Sequence, residues 1–185
     1  MAEVEYGSNE PVTFTMLMTP EMANFSGNVH GGALLKLLDQ VAYTCASRYS
    51  GYYAVTLSVD QVSFREPIKI GELVTFFSSV NYVGRTSMEI GVKVIAEDVH
   101  SHKKRHTNSC YFTMVAMNDG KPIEVPPLDF KADRQKQRYI AAKVRKELRS
   151  EHDQRLKETH DKWISNTEHL TEEQINEEFE KYRQG

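Results

Sequence analysis

The stretch that decides the fold is GNVHGGALLKLLDQ, residues 27–40, in which small and polar residues lead into a run of leucines. From here apolar residues recur at every third or fourth position as far as Tyr49, which is the spacing of one helix face. Gly51 follows as a stop signal. The sequence therefore predicts a helix over residues 30–50, about 30 Å long at roughly 1.5 Å per residue. One carboxylate, Asp39, lies inside the leucine-rich part.

Five other segments favour β-strands, because they are rich in β-branched and aromatic residues in partial alternation. They span residues 12–18, 52–64, 72–83, 86–98 and 105–117. Short connections at Gly84–Arg85 and at His100–Lys104 predict hairpins and therefore antiparallel pairing. The long helix must bury its apolar stripe on this sheet, since nothing else in the core could cover it. The predicted fold class is α+β.

Charge divides the chain into two parts. Residues 1–130 hold 10 Lys or Arg and 14 Asp or Glu, whereas residues 131–185 hold 13 and 12. Pro126 and Pro127 precede this change, and adjacent prolines discourage both helix and interior strand. We predict a core domain over residues 1–130 and a charged helical extension over residues 131–185.

Length and composition exclude several classes of protein. A chain of 185 residues suits one well-buried core, and a net charge of -3 from mixed signs argues against nucleic-acid binding. The first ten residues lack a signal-peptide pattern, and no apolar run has membrane length. Cys45 and Cys110 lie among apolar neighbours, as expected of thiols in a reducing compartment. We expect a cytoplasmic protein that contacts neither nucleic acid nor membrane.

Asp39 has two interpretations on the predicted helix. It shares a row with Leu35, Ala42 and Ala46, three apolar residues. In the first interpretation it is a half-solvated residue at the edge of the apolar stripe. In the second it is a partly desolvated base that faces a cleft.

The start of the helix favours the second interpretation. Asn28, His30, Gly31 and Gly32 place small residues where free backbone N–H groups meet the positive end of the helix dipole. Without side chains there, a carbonyl oxygen could approach closely. One helix would then offer both an electrophile-polarising end and, at Asp39, a base or nucleophile, the two parts that acyl transfer needs. The alternative for the glycines is a tight turn into the helix.

Four motifs resemble, in order and spacing, those of the hotdog-fold acyl-CoA thioester hydrolases. They are NFSGNVHGGALLKLLDQVAYTCASRYSG, VSFREPIKIGELV, NYVGRTSMEIGVKV and RHTNSCYFTMVAM. The resemblance covers about residues 8–130 and is strongest to the cytosolic long-chain (brain-type) acyl-CoA hydrolases and their single-hotdog bacterial relatives. It implies a long helix wrapped by an antiparallel sheet and paired with a second hotdog. It further implies a homo-oligomer of such dimers, a homohexamer built as a trimer of dimers.

The same resemblance implies that Asn28 and Asp39 are the catalytic pair, contributed by opposite hotdogs. Double-hotdog relatives keep only one of the two residues in each half, whereas this chain carries both. The expected reaction is hydrolysis of fatty acyl-CoA to free fatty acid and CoA, without a cofactor, because CoA is part of substrate and product. The amides near Gly31 and Gly32, with Asn28, would polarise the thioester carbonyl. Activation of water by Asp39 and direct attack by Asp39 to form an anhydride both remain open.

The phosphates of CoA need cations at the mouth of a cleft. The turn at 84–87 offers backbone donors, an arginine and two hydroxyls, from Gly84, Arg85, Thr86 and Ser87. Its alternative is a solvated turn. Arg65 is a weaker candidate for the same role.

Two other hotdog functions and a metal site are alternatives. Hotdog dehydratases set a histidine in a proline-containing loop and use a glutamate on the helix, and neither occurs here, so His30 is expected to be structural or to orient substrate. An acyl-CoA sensor should carry a DNA-binding module, and no helix-turn-helix precedes this hotdog. Three histidines around a lysine-rich turn, His100, His102 and His106, are expected to be solvated, so we expect no metal.

Overall fold

The computed structural model describes residues 10–167 and 170–184. Two edge strands flank a long helix early in the chain, and a strand meander and two charged helices follow. The elements are β1 (Val12–Leu17), α1 (Gly31–Ser50), β2 (Tyr53–Val59), β3 (Leu73–Val83), β4 (Ser87–Glu97), β5 (Lys104–Asn118), β6 (Lys121–Pro122), α2 (Asp133–Thr167) and α3 (Glu172–Gln184). The predicted α+β class is confirmed.

The sheet is antiparallel, with strand order β1-β3-β4-β5-β2 and the two-residue β6 paired to the end of β5. Strands β3 and β4 form the hairpin predicted at Gly84–Arg85, and β4 and β5 form the hairpin predicted at His100–Lys104. Helix α1 begins one residue after its predicted start and ends at the predicted stop, where Gly51 adopts φ 77°. This left-handed conformation favours glycine, which explains why the stop signal works.

The core lies between α1 and the inner face of the sheet. Its largest fully buried side chains include Tyr49 from α1 and Phe76, Ile90 and Phe112 from the central strands. Burial raises the pKa of Tyr49 to about 12. The Tyr49 hydroxyl lies 3.1 Å and 3.0 Å from the carbonyl oxygens of Pro126 and Pro127, to which it donates. This contact anchors the double-proline stretch to the core.

The strand predicted over residues 52–64 ends earlier, at Val59. Beyond it, residues 60–72 form a connecting segment that stays beside β5 through only two backbone hydrogen bonds. The Asp60 amide donates to Tyr111 at 2.9 Å and the Arg65 amide donates to Thr107 at 3.2 Å. Bonds this sparse do not make a ladder, so the segment is a loop that borders the candidate site.

The described chain forms two compact units, divided after Ala142. The first contains the sheet and α1. In the second, α3 begins with a capping box, since the Thr171 amide donates to Gln174 Oε1 at 2.9 Å and the Gln174 amide donates to Thr171 Oγ1 at 3.4 Å. The domain boundary at residue 130 stays a prediction.

Across residues 10–167 and 170–184, no helix combines the length and the apolar character needed to cross a bilayer.

Candidate active site

Helix α1 begins with two glycines and a histidine cap. Nδ1 of His30 accepts a hydrogen bond from the Gly32 amide at 2.9 Å. A Cβ atom on Gly32 would lie 3.0 Å from this ring, so glycine leaves the space that the cap needs. The cap therefore occupies the Gly32 amide, which is one of the two backbone donors predicted from the sequence to polarise a substrate carbonyl. The Gly31 amide, at the positive end of the helix, has no partner among the described residues.

A tight turn precedes the helix and contains two asparagines. Oδ1 of Asn24 accepts hydrogen bonds from the amides of Ser26 at 2.9 Å and Asn28 at 3.1 Å. The Asn24 amide donates to the Asn28 carbonyl at 2.7 Å, and Gly27 closes the turn with φ 75°. The carboxamide of Asn24 is therefore held by its oxygen. Within the described part of the chain no acceptor takes its Nδ2 hydrogens, which remain available to a ligand.

Asn24 was not among the site residues predicted from the sequence. The signal that could have found it is an asparagine followed two residues later by an N–H that its side chain can bind, with a glycine next in the turn. Asn28 was the more conspicuous residue because it adjoins the glycines. It is half-buried, and its own side chain has no hydrogen bond to another described residue.

A cleft of about 240 Å³ opens beside this turn. Amide groups border one part of it, and apolar side chains together with Glu66 and Thr107 border the rest. The lining residues are Asn24, Asn28, Val29, Gly31, Leu34, Phe64, Glu66, Pro67, Ile68 and Thr107. Such a lining suits a carbonyl group that carries an apolar chain.

Asp39 lies elsewhere on the same helix. It is eight residues beyond Gly31, about 12 Å along the axis, and does not line the cleft of its own chain. Its side chain is exposed in the single chain, and its Oδ1 accepts a 2.5 Å hydrogen bond from Thr56 Oγ1 on β2. Thr56 was also missed, because a threonine in a strand is ordinary and nothing local marks it.

Helix α1 and strand β2, which carry Asp39 and Thr56, also carry several exposed apolar side chains within a few residues of them. They are Leu35, Tyr43, Tyr53, Leu57 and Val59, of which Leu57 is 68% exposed. Strand β2 is also an edge of the sheet, with β5 as its only partner among the described strands. An apolar face beside an open strand edge is typical of a surface that another chain covers. The carboxylate thus lies within a candidate contact surface.

The turn at 84–87 joins β3 to β4, and its backbone is already engaged. The Gly84 amide donates to the Ser87 carbonyl, and the carbonyls of Arg85 and Thr86 accept from the amides of Val125 and Ala116. The Arg85 side chain is exposed and lines a second cleft, of about 360 Å³, together with Phe130 and Tyr139. Arg85 therefore remains the group at this turn that can meet an anion.

Arg65 and the histidines lie apart from this second cleft. The Arg65 side chain is exposed on the connecting segment, between Phe64 and Glu66 of the first cleft. His102 Nδ1 lies 3.4 Å from Glu97 Oε1, and His106 Nε2 lies 2.9 Å from Ser109 Oγ. In residues 10–167 and 170–184, no three histidine, cysteine or acidic side chains form a group suited to a metal ion.

Comparison with known proteins identifies the family. The model of the Thioesterase superfamily matches residues 26–101, which include part of the asparagine turn, α1 and Asp39. Protein VdlD of Helicobacter pylori is 47% identical over 147 residues, which are 80% of this chain and 84% of that protein. The chain belongs to the thioesterase superfamily. The cytosolic acyl coenzyme A thioester hydrolase of Rattus norvegicus is 36% identical over 132 residues, 70% of this chain but 35% of the longer relative.

Solved structures place this thioesterase-superfamily chain among the hotdog-fold acyl-CoA hydrolases, as predicted. The acyl-CoA hydrolase of Staphylococcus aureus, in complex with butyryl coenzyme A, coenzyme A and coenzyme A disulfide, superposes with a TM-score of 0.75 at 30% identity. The superposition covers 86% of this chain and 98% of that one. An apo-hexameric acyl-CoA thioesterase has a TM-score of 0.76 at 29% identity, over 80% of this chain and 96% of its own.

Alanine variants of the Staphylococcus aureus hydrolase have also been solved. One replaces an asparagine, another an aspartate and a third a threonine, in that order along the chain. The asparagine and the aspartate are separated by the same interval as Asn24 and Asp39, and the aspartate and the threonine by the same interval as Asp39 and Thr56. The asparagine variant is in complex with coenzyme A.

Proposed function

We propose that the protein hydrolyses fatty acyl-CoA to free fatty acid and CoA at sites shared between two subunits. One observation carries the proposal: a single chain contains both the amide donors and the carboxylate that such a site needs, but holds them too far apart to act on one substrate. The amide donors line a cleft at the start of α1, whereas Asp39 lies about 12 Å farther along, outside that cleft and on an exposed apolar face. A second copy can bring its own Asp39 to the cleft.

Asn24 and the Gly31 amide polarise the thioester carbonyl in this proposal. The interval from Asn24 to Asp39 equals that between the substituted asparagine and aspartate of the Staphylococcus aureus hydrolase, whereas Asn28 lies closer to Asp39 in sequence. The carboxamide of Asn24 is also fixed by two backbone donors. A pre-oriented amide stabilises a developing oxyanion without reorganising at the moment of reaction. Asn28, the residue predicted from the sequence, then serves the turn through its backbone.

Asp39 acts as general base or nucleophile, and Thr56 orients it. Their separation in sequence equals that between the substituted aspartate and threonine of the same relative. With Oδ1 bound to the threonine hydroxyl, Oδ2 is left to accept a proton from water as the water attacks the carbonyl. Thiolate then leaves as the carbonyl re-forms. Attack by the carboxylate itself gives an anhydride. Heavy-oxygen label that enters the Asp39 carboxylate during single-turnover hydrolysis in labelled water would exclude simple general-base catalysis.

The proposed partner is a second copy of the chain. Pairing through the apolar face around Asp39 would cover Leu57 and the open edge of β2, and would remove Asp39 from bulk water. The hexameric relative supports a hexamer for this chain. We further propose that the hexamer is a trimer of dimers and that the protein is cytoplasmic.

The nucleotide part of CoA binds at Arg85 in this proposal. The Arg85 side chain is exposed beside a cleft with two aromatic residues, Phe130 and Tyr139. Gly84, Thr86 and Ser87 shape the turn that presents it, while Arg65 remains the weaker candidate. The reaction requires no metal or other cofactor, because the thioester carbonyl is already electrophilic and thiolate is a fair leaving group.

A thiol-release assay with acyl-CoAs of several chain lengths tests the proposed function. We expect release of CoA thiol that depends on Asp39. A sensor would bind acyl-CoA and release no thiol, and a dehydratase would change the acyl group while the thioester stays intact. Failure to release thiol from acyl-CoA of any length would contradict the proposal.

A further inference from the structure

The connecting segment, residues 60–72, supplies one wall of the first cleft. Phe64, Glu66, Pro67 and Ile68 of this segment line it, opposite the asparagine turn. The segment belongs to no strand ladder apart from an isolated bridge between Lys69 and Asn28. Residues 68–72 are also held by backbone hydrogen bonds, from the Val29 amide to the Ile68 carbonyl and between Met18 and both Gly71 and Glu72. The part of the segment that needs side-chain contacts to fix its position is therefore that around Glu66 and Pro67.

Arg105, the second residue of β5, makes those contacts. Its Nη1 donates to Glu72 Oε1 at 2.6 Å, and its Nη2 donates to Glu72 Oε2 at 2.6 Å. The same Nη2 donates to the Pro67 carbonyl at 2.6 Å, and Nε lies 3.2 Å from Glu66 Oε2. One planar guanidinium therefore joins β5 to the middle of the wall, at Glu66 and Pro67, and to the end of the connecting segment, at Glu72. Lysine, with a single ammonium point charge, cannot reproduce this set of contacts.

The carboxylate that receives Arg105 is nearly buried. The Glu72 side chain is 6% exposed, and its Oε2 also accepts the Lys69 amide at 2.8 Å. Burial raises the pKa of Glu72, but the hydrogen bonds from Arg105 and Lys69 outweigh it, so the pKa lies below its ordinary value. Glu72 is thus ionised at neutral pH and remains bound to Arg105.

The far side of the wall is tied to the asparagine turn. The Val29 amide donates to the Ile68 carbonyl at 2.8 Å, next to the bridge between Asn28 and Lys69. Arg105 therefore holds one side of a segment whose other side carries the turn with Asn24. A shift of the Pro67 region changes the width of the cleft where the acyl group enters.

We propose that Arg105 is a positioning residue which, by holding Glu72 and the Pro67 carbonyl together, sets the width of the cleft and hence which acyl chains fit. Arg105 itself does not line the cleft. The inference rests on the proposed function, since it concerns the acyl group of the same substrate.

The test compares acyl-chain preference in three variants. Arg105→Lys keeps the charge and loses the forked contact, and the double variant Arg105→Gln, Glu72→Gln removes both charges so that no buried carboxylate is left unpaired. Lys104→Gln is the matched control, because Lys104 is adjacent and pairs with Glu97 at 3.3 Å on the surface. The readout is the ratio of kcat/KM for butyryl-CoA to kcat/KM for palmitoyl-CoA. This ratio does not depend on the fraction of correctly folded enzyme.

We expect both Arg105 variants to change this ratio by about tenfold or more, which is the scale on which an apolar pocket discriminates chain length. Lys104→Gln should leave it within about twofold of wild type. An unchanged ratio in an Arg105 variant, whatever its absolute rate, would assign Arg105 to folding alone and overturn the inference. A wild-type protein that releases no thiol from acyl-CoA of any length would instead overturn the proposed function, and this inference with it.

Discussion

Thr56 Oγ1 donates a 2.5 Å hydrogen bond to Oδ1 of Asp39, which joins the edge strand β2 to helix α1. The bond engages one carboxylate oxygen, and the other accepts no hydrogen bond from the described residues. Two side chains that lie 17 residues apart in the sequence are thereby joined.

We predict that Asp39→Asn lowers kcat by at least about 10²-fold, the lower limit for loss of a positioned general base. Thr56→Val should lower kcat by less, since the base remains and only its orientation is lost. Both rates are measured by thiol release under saturating acyl-CoA. A Thr56→Ser variant, which retains the hydroxyl, is the matched control and should stay near wild type. A wild-type kcat for Asp39→Asn would remove this residue from the mechanism.

The two asparagines of the turn should differ in their effect on the rate. Asn24→Ala is expected to lower kcat by about 10²- to 10³-fold, as does loss of an oxyanion donor. Asn28→Ala should lower kcat much less, because the contacts of Asn28 in the turn are made by its backbone groups. Measurements of kcat and KM for both variants show which asparagine contributes more to the rate. A larger loss of kcat in Asn28→Ala than in Asn24→Ala would restore Asn28 to the role predicted from the sequence.

Two inactive variants should complement each other if the site is shared between subunits. Co-expression of Asp39→Asn with Asn24→Ala in equal amounts should restore about a quarter of the wild-type activity, because random pairing gives that share of intact sites. Each variant alone should remain inactive. Separately tagged chains allow the mixed oligomers to be purified and assayed. If both residues acted within one chain, mixing would restore nothing.

Charge reversal at Arg85 should weaken the binding of CoA without impairing the chemistry. Arg85→Glu is expected to raise KM for acyl-CoA while kcat changes little, since the phosphates lie far from the thioester. Hydrolysis of an acyl-N-acetylcysteamine, which lacks the nucleotide, should be unaffected. Lys103→Glu, in the exposed turn between β4 and β5, is the control for a general change of surface charge. An unchanged KM for acyl-CoA would speak against a phosphate contact at Arg85.

The contact between Glu72 and Arg105 should make stability depend on pH. Because the pKa of Glu72 is lowered below its ordinary value of 4.5, the contact stabilises the fold above that pH and is lost as the pH falls through the folded-state pKa. Glu72→Gln should therefore reduce the free energy of unfolding at pH 7 by on the order of 2 kcal/mol, the scale of hydrogen bonds to a charged group. The deficit should shrink below pH 4.5. Urea unfolding of wild type and Glu72→Gln between pH 7 and pH 3 measures this difference in the free energy of unfolding. A difference that persists unchanged in acid would contradict an ionic origin.

Local signals predicted much of the fold. The apolar spacing of α1, Gly51 at its end and the two hairpin turns are all encoded by neighbouring residues, and the structure has them where they were predicted. Asp39 stood out for a similar reason, because a carboxylate among leucines is unusual in its own neighbourhood.

The missing parts of the site depend on groups that are distant in sequence. Thr56 becomes a candidate only because its hydroxyl contacts Asp39. Arg105 becomes one only because its guanidinium reaches Glu72, from which strands β3 and β4 separate it along the chain. The role of Asn24 depends on which of its amide atoms the turn occupies. Composition and periodicity carry no information about such pairings.

The sequence by itself determined the fold class, the family and the presence of a carboxylate and an amide-rich helix start on one helix, since helix periodicity and turn chemistry are local properties. Only the tertiary structure decided which amides are already engaged, which threonine holds Asp39 and that the carboxylate lies outside the cleft of its own chain. The physical reason is that hydrogen bonds and burial depend on distances between atoms that folding alone brings together.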